Sequence, residues 1–116
     1  MDEAVIRREI LILGAEDPGG LWEIAGRINA LSPKETDAGR LDVARAVLSS
    51  LLEKDLVSLV WSDGDFEPIR SIGRDEAVAL VQDDRWWHPP GQGETRWVTF
   101  ATTERGLAAL RRDGAA

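Results

Sequence analysis

LDVARAVLSSLLEKDLVSLVW, residues 41–61, changes its hydrophobic period halfway along. Plotted at about 100° per residue, Leu41, Ala44, Val47, Leu48, Leu51 and Leu52 fall on one face, which predicts a helix with a single buried side. Glu53-Lys54-Asp55 interrupts the pattern. Leu56 to Trp61 is then continuous and β-prone, so it predicts a strand. A helix passing directly into a strand sets the class as α+β.

Toward the N-terminus, EAVIRREILIL (3–13) places Val5, Ile6, Ile10 and Leu13 on one helical face, with Asp2 as its cap. Asp17-Pro18-Gly19-Gly20 is a turn signal. LWEIAGRINA (21–30) resumes helical spacing through Leu21, Ile24, Ala25 and Ile28. Gly26 weakens that helix by about 1 kcal/mol relative to Ala, which close packing would explain. Ser32-Pro33-Lys34-Glu35 has the pattern of a capping box with Pro at the first helical position, so a helix is expected to begin at Pro33. Gly39 leaves two readings open, one helix over 33–54 or a short turn before a helix from about 40.

Toward the C-terminus, Ser62-Asp63-Gly64-Asp65 reads as a turn and Phe66 to Ile72 as a short strand that Pro68 confines to an edge. RDEAVALVQD (74–83) predicts a short helix with Ala77, Val78, Leu80 and Val81 inward, and DRWWHPPGQGE (84–94) a loop. TRWVTFA (95–101) alternates Trp97 and Thr99 against Val98 and Phe100, as a strand does. Thr102 or Thr103 then caps a last helix, ERGLAALRR, followed by a frayed tail at 113–116.

This order of elements resembles the winged helix-turn-helix domain of bacterial transcription regulators. The helix running through Leu52-Glu53-Lys54-Asp55-Leu56-Val57 into a strand and the closing VTFATTERGL (98–107) carry the resemblance. It implies one domain over 1–116: a three-helix core, a small antiparallel β wing, an inserted short helix and a C-terminal helix. Residues 62–94 depart from the short hairpin typical of a wing. In DNA-binding relatives the third helix enters the major groove and nearby cations contact phosphates. Here the arc opposite Leu48 carries Asp42, Ala46, Ser49, Ser50 and Glu53, and residues 62–94 hold three arginines against eight carboxylates. Since phosphate neutralisation supplies most non-specific DNA affinity, both surfaces suit DNA poorly.

Composition narrows the classes further. The 116 residues carry a net charge of −7, no Cys and one His, which excludes disulfides, thiolate metal sites and the usual zinc ligand sets. No apolar run approaches the roughly 20 residues of a membrane span, and MDEAVIRRE is acidic where a signal peptide is basic, so a cytoplasmic protein is expected. Asp63, Asp65 and Glu67 alternate like a calcium loop but lack its glycine and terminal Glu, and Gly91-Gln92-Gly93 lacks the context of a phosphate loop. No nucleophile–base pair or catalytic carboxylate pair stands out, so no enzyme activity and no cofactor are expected.

The most unusual stretch is Trp86-Trp87-His88-Pro89-Pro90, in a chain with five Trp and no Tyr. Trp is enriched at binding hot spots, although one of the pair is expected in the core. Trp61 reads as core, Trp22 alternates away from Leu21, and Trp97 suits either side of its strand. The expected function is therefore a non-catalytic protein-interaction or regulatory module. Its contacts would be Trp86, Trp87, Asp83, Asp84, Asp63 and Asp65, and a basic protein partner would suit the carboxylates. The alternative is a DNA-binding transcriptional regulator, as a homodimer. It would use the helix at about 40–54 through Arg40, Arg45 and Ser49, with Arg27, Lys34, Arg7 and Arg8 as further phosphate contacts.

Overall fold

A computed structural model describes residues 2–16, 19–63, 65, 67–89, 91 and 95–114. The expectations for Asp17-Pro18, Gly64, Phe66, Pro90, residues 92–94 and residues 115–116 lie outside them. Five helices and a four-stranded antiparallel sheet follow in the order α1 (Glu3–Glu16), β1 (Gly19–Gly20), α2 (Leu21–Leu31), α3 (Asp37–Glu53), β2 (Val57–Asp63), β3 (Pro68–Ile72), α4 (Arg74–Val81), a 3-10 turn (Asp84–Trp87), β4 (Arg96–Thr102) and α5 (Glu104–Gly114). Among the described residues no helix is long and apolar enough to cross a membrane.

The stretch 41–61 behaves as its period dictates. Ala44, Val47, Leu48, Leu51 and Leu52 are buried on α3 and Leu41 is half-buried. The Glu53-Lys54-Asp55 interruption is a helix stop. Leu56 N–H donates to Leu51 O at 2.9 Å and Asp55 N–H to Leu52 O at 3.1 Å, the paired bonds of a Schellman motif. Asp55 takes the left-handed position (φ 62°) that glycine usually fills there. The chain thus turns straight into β2.

Sheet order is β1-β4-β2-β3. β2 pairs with β4 along its whole length, from Val57 opposite Thr102 to Asp63 opposite Arg96. On the far side it pairs with β3, with an irregularity between Trp61 and Ser62. Pro68 accordingly sits on an edge strand, where its missing N–H costs no sheet bond. Gly19 and Gly20, expected in a turn, instead pair with Phe100 and Thr99. That pairing joins residues 81 and 79 positions apart in sequence, and no local pattern announces it. β4 is the central surprise: Trp97, Val98, Thr99 and Phe100 are all buried, so both faces are covered. The two buried hydroxyls, Ser62 and Thr99, satisfy each other at 2.8 Å.

Several boundaries differ from expectation. Asp2 does cap α1, accepting from Ala4 N at 2.9 Å, but the buried face is Ile6, Ile10, Leu11 and Gly14, with Val5 44% exposed. A Cβ on Gly14 would lie 2.5 Å from Thr102 Oγ1, so α1 crosses β4 closely. Ser32 does not open a helix; it ends α2, donating its N–H to Ile28 O at 2.8 Å. Thr36 caps α3 by accepting from Gly39 N at 3.0 Å, which resolves the two readings in favour of a turn over 32–36. At the other end Thr103 is the cap of α5, accepting from Gly106 N at 3.1 Å. Asp113 and Gly114, expected to fray, belong to that helix.

Gly26 overturns its own expectation. A Cβ there meets nothing within 4 Å, so close packing is not its reason. Gly26→Ala is expected to stabilise the fold by about 0.5–1 kcal/mol through helix propensity alone, read as a higher denaturant midpoint. A loss of stability would mean that α2 needs the glycine for something other than space.

Candidate functional site

The described residues between β2 and Pro89 do not form a free excursion. β3 pairs back onto β2, and α4 packs on α3 with Ala77 and Val81 buried. Asp83 then accepts from Arg85 N at 3.0 Å and starts the 3-10 turn. The turn is tied to α3 by an ion pair between Asp84 and Arg45. Its tight pitch sends the adjacent indoles in different directions. Trp87 goes inward, 3% exposed, and its Nε1 donates to Val81 O at 2.8 Å. That carbonyl lies at the end of α4, where no helical N–H is available to it. The contact role expected for Trp87 is therefore corrected: it is a core residue, and Trp86 alone of the pair reaches the surface.

Trp86 is half-buried and held from two sides. It meets Trp61 edge to face, ring centroids 5.2 Å apart and planes at 79°, and the Arg85 guanidinium lies 4.6 Å from its ring centre. On the other flank Arg96 lies 4.3 Å from the ring centre of Trp61. The result is a continuous run, Arg96–Trp61–Trp86–Arg85, of cations against indole faces and indole against indole. Such contacts are worth roughly 0.5–1.5 kcal/mol each beyond burial. Beside it opens a cleft of about 140 Å³ whose walls include Trp22 of α2, Trp86 and Trp97 of β4. The titratable side chains among its described lining residues are Arg85, His88 and Arg96.

Three of the four carboxylates expected at a contact surface have local structural partners. Asp63 Oδ1 accepts from Asp65 N at 2.8 Å and Glu67 N at 3.0 Å, shaping the β2–β3 turn. Asp83 caps the 3-10 turn and Asp84 holds Arg45. Asp65 stands exposed at the tip.

Three of the cations expected near DNA, Arg27, Arg40 and Arg45, are likewise turned to internal use. Arg40, with 12% of its side chain exposed, donates to Ser32 O at 3.0 Å and to Glu35 O, and pairs with Asp37. It therefore ties off the turn between α2 and α3. Arg45, 17% exposed, points to Asp84 rather than outward. Arg27 pairs with Glu9 at 3.3 Å. Ser49 is half-buried and its Oγ has no partner among the described residues; Lys34 and Arg8 are exposed, and Arg7 is half-buried. The outward arc of α3 is left with Asp42, Ala46 and Glu53 exposed.

What the sequence lacked was the assembly. Trp22, Trp61, Trp86 and Trp97 converge from four separate elements, and the only sequence signal was the excess of Trp itself. Among the described residues no group of three or more His, Asp or Glu side chains is placed to hold a metal ion. No family model, curated protein or solved structure matches this chain.

Proposed function

We propose that this chain is a non-catalytic, winged-helix-like interaction module whose protein partner docks over Trp86 and the cleft beside it. Support for the scaffold comes from the element order, helix, short strand, two helices, then strands, with β1 and β2 flanking β4. The β3–α4 segment and the 3-10 turn are additions between the two long strands. The observation that carries the functional reading is Trp86: a half-exposed indole, packed between Trp61 and Arg85 at the mouth of an indole-lined cleft. Hot spots are anchors of this kind, large, preorganised and ringed by contacts that exclude water. On the opposite count, the outward arc of α3 presents carboxylates where a groove-reading helix needs cations.

The test compares Trp86→Ala with the wild-type chain. Trp86 is only half-buried, so its loss is expected to cost about 1–2 kcal/mol of stability and leave the fold intact by circular dichroism. Affinity for a captured protein partner should fall at least about tenfold. In parallel, mixed duplex DNA is offered at about 50 and 200 mM salt. Binding that drops steeply between the two would replace this reading with the DNA-binding one. Capture that Trp86→Ala leaves unchanged would remove Trp86 as the anchor.

A further inference from the structure

The chemistry of the docking segment follows from the walls of the cleft, and rests on the reading that the cleft is the docking site. In a chain of net charge −7, the titratable described residues lining it are all basic, Arg85, His88 and Arg96. Arg96 is exposed, makes no ion pair with a described residue, and is held over the Trp61 ring at 4.3 Å. A guanidinium stacked on an aromatic face keeps its in-plane N–H donors available, and their fork matches a carboxylate bidentately. Next to that fork the indoles of Trp22, Trp86 and Trp97 offer an apolar cavity of about 140 Å³. Pockets for drug-sized ligands begin near roughly 300 Å³, so this one is scaled to a single side chain.

We infer that the cleft binds a short acidic peptide segment of the partner: one apolar or aromatic side chain enters between the indoles, and a neighbouring Asp or Glu carboxylate lies on the Arg96 fork. The number of charges is limited by what surrounds the site. Asp83 and Asp84 adjoin Arg85 in the same turn, and the whole chain is acidic, so a continuous polyanion is repelled where one or two carboxylates are accepted. This sign is opposite to the basic partner that the acidic composition of residues 62–94 suggests. It differs because those carboxylates at Asp63, Asp83 and Asp84 are engaged within the chain, while the titratable residues among the described lining of the cleft are basic.

The experiment is a fluorescence titration of the full chain, whose own indoles line the cleft, against an array of capped nonapeptides. Each has a central Leu, Phe or Trp flanked by Glu, by Gln or by Lys; a dT oligonucleotide is run alongside. The Glu-flanked peptides are expected to bind at least about tenfold more tightly than their Gln counterparts, the scale of one charge-assisted bidentate pair. Arg96→Gln should bring that ratio close to unity without unfolding the chain, because Arg96 is exposed. A preference that survives Arg96→Gln, equal binding of the Gln series, or tighter binding of the oligonucleotide would each overturn the inference. Trp86→Ala separates the two levels of failure. If Lys-flanked peptides bind and Trp86→Ala abolishes it, the docking site stands and only its sign is wrong. If no peptide binds in a Trp86-dependent way, the docking reading falls with it.

Discussion

Trp87→Ala is expected to lower folding stability by about 3–5 kcal/mol, the range for removing a buried large aromatic, whereas Trp86→Ala costs only about 1–2 kcal/mol. Two neighbours of identical chemistry separate because one is 3% exposed and the other half-buried. The Trp87 loss has two parts. One is the cavity left where the indole stood against α4. The other is the Val81 carbonyl, which loses the donor that Nε1 supplies at 2.8 Å. Trp87→Phe isolates the second part: it keeps most of the ring volume, and is expected to cost about 1–3 kcal/mol for the unpaired buried acceptor. With a urea m-value of about 1–3 kcal/mol/M, the Trp87→Ala midpoint should fall by at least about 1 M. Since natural domains have only about 5–15 kcal/mol in hand, this one substitution removes a large share of it. Near-equal losses for the two Ala variants would contradict the inward placement of Trp87. A Trp87→Phe as costly as Trp87→Ala would assign the whole effect to the hydrogen bond.

The same two residues mark how far a sequence can be read. Local patterns were legible where the local interaction also decides the structure. Apolar spacing on α3 gave its buried face, and the Glu53-Lys54-Asp55 break gave the turn into β2. Where two local signals competed, tertiary contacts chose. Ser32-Pro33-Lys34-Glu35 has every residue type of a capping box, yet Ser32 closes α2 and Thr36 opens α3. Arg40 gathers Ser32 O, Glu35 O and Asp37 around the turn, a set of acceptors that exists only once both helices are in place. Non-local pairing was not legible at all. Gly19-Gly20 looks like a turn because the partners that make it a strand are Phe100 and Thr99. Residues 84–94, expected as a loop, contain a 3-10 turn at Asp84–Trp87, too short to carry a period. The indole cluster is the extreme case. Its members come from positions 22, 61, 86 and 97, so composition announces it and spacing does not.

Gly106→Ala should destabilise the fold by about 2–4 kcal/mol, although helix propensity argues the other way. Ala is favoured over Gly by about 1 kcal/mol inside a helix, and at the open Gly26 that preference is free to act. At Gly106 the space is already taken. A Cβ would lie inside van der Waals contact of the Leu56 carbonyl oxygen and 2.5 Å from Thr102 Cγ2. The carbonyl is backbone and has no rotamer to yield, so α5 must move. That movement strains the bonds that seat the helix. Thr103 N–H donates to Leu56 O at 3.0 Å, and Thr103 Oγ1 donates to Asp55 O at 2.7 Å while accepting from Gly106 N at 3.1 Å. Overpacking of about 1–3 kcal/mol and net losses of about 0.5–1.5 kcal/mol per hydrogen bond together outweigh the propensity gain. The site is also where the α3 stop, the start of β2 and the cap of α5 meet, so the strain reaches the junction that ends α3. Thr103→Val separates the components: it removes the hydroxyl bonds but keeps the bulk, and should cost about 1–2 kcal/mol, less than Gly106→Ala. Denaturant titrations of Gly26→Ala, Gly106→Ala and Thr103→Val side by side read all three, and opposite signs for the two glycines are the expected result. If Gly106→Ala stabilised the chain as Gly26→Ala is expected to, α5 would have to sit farther from Leu56 than the hydrogen bonds from Thr103 to Leu56 O and Asp55 O allow.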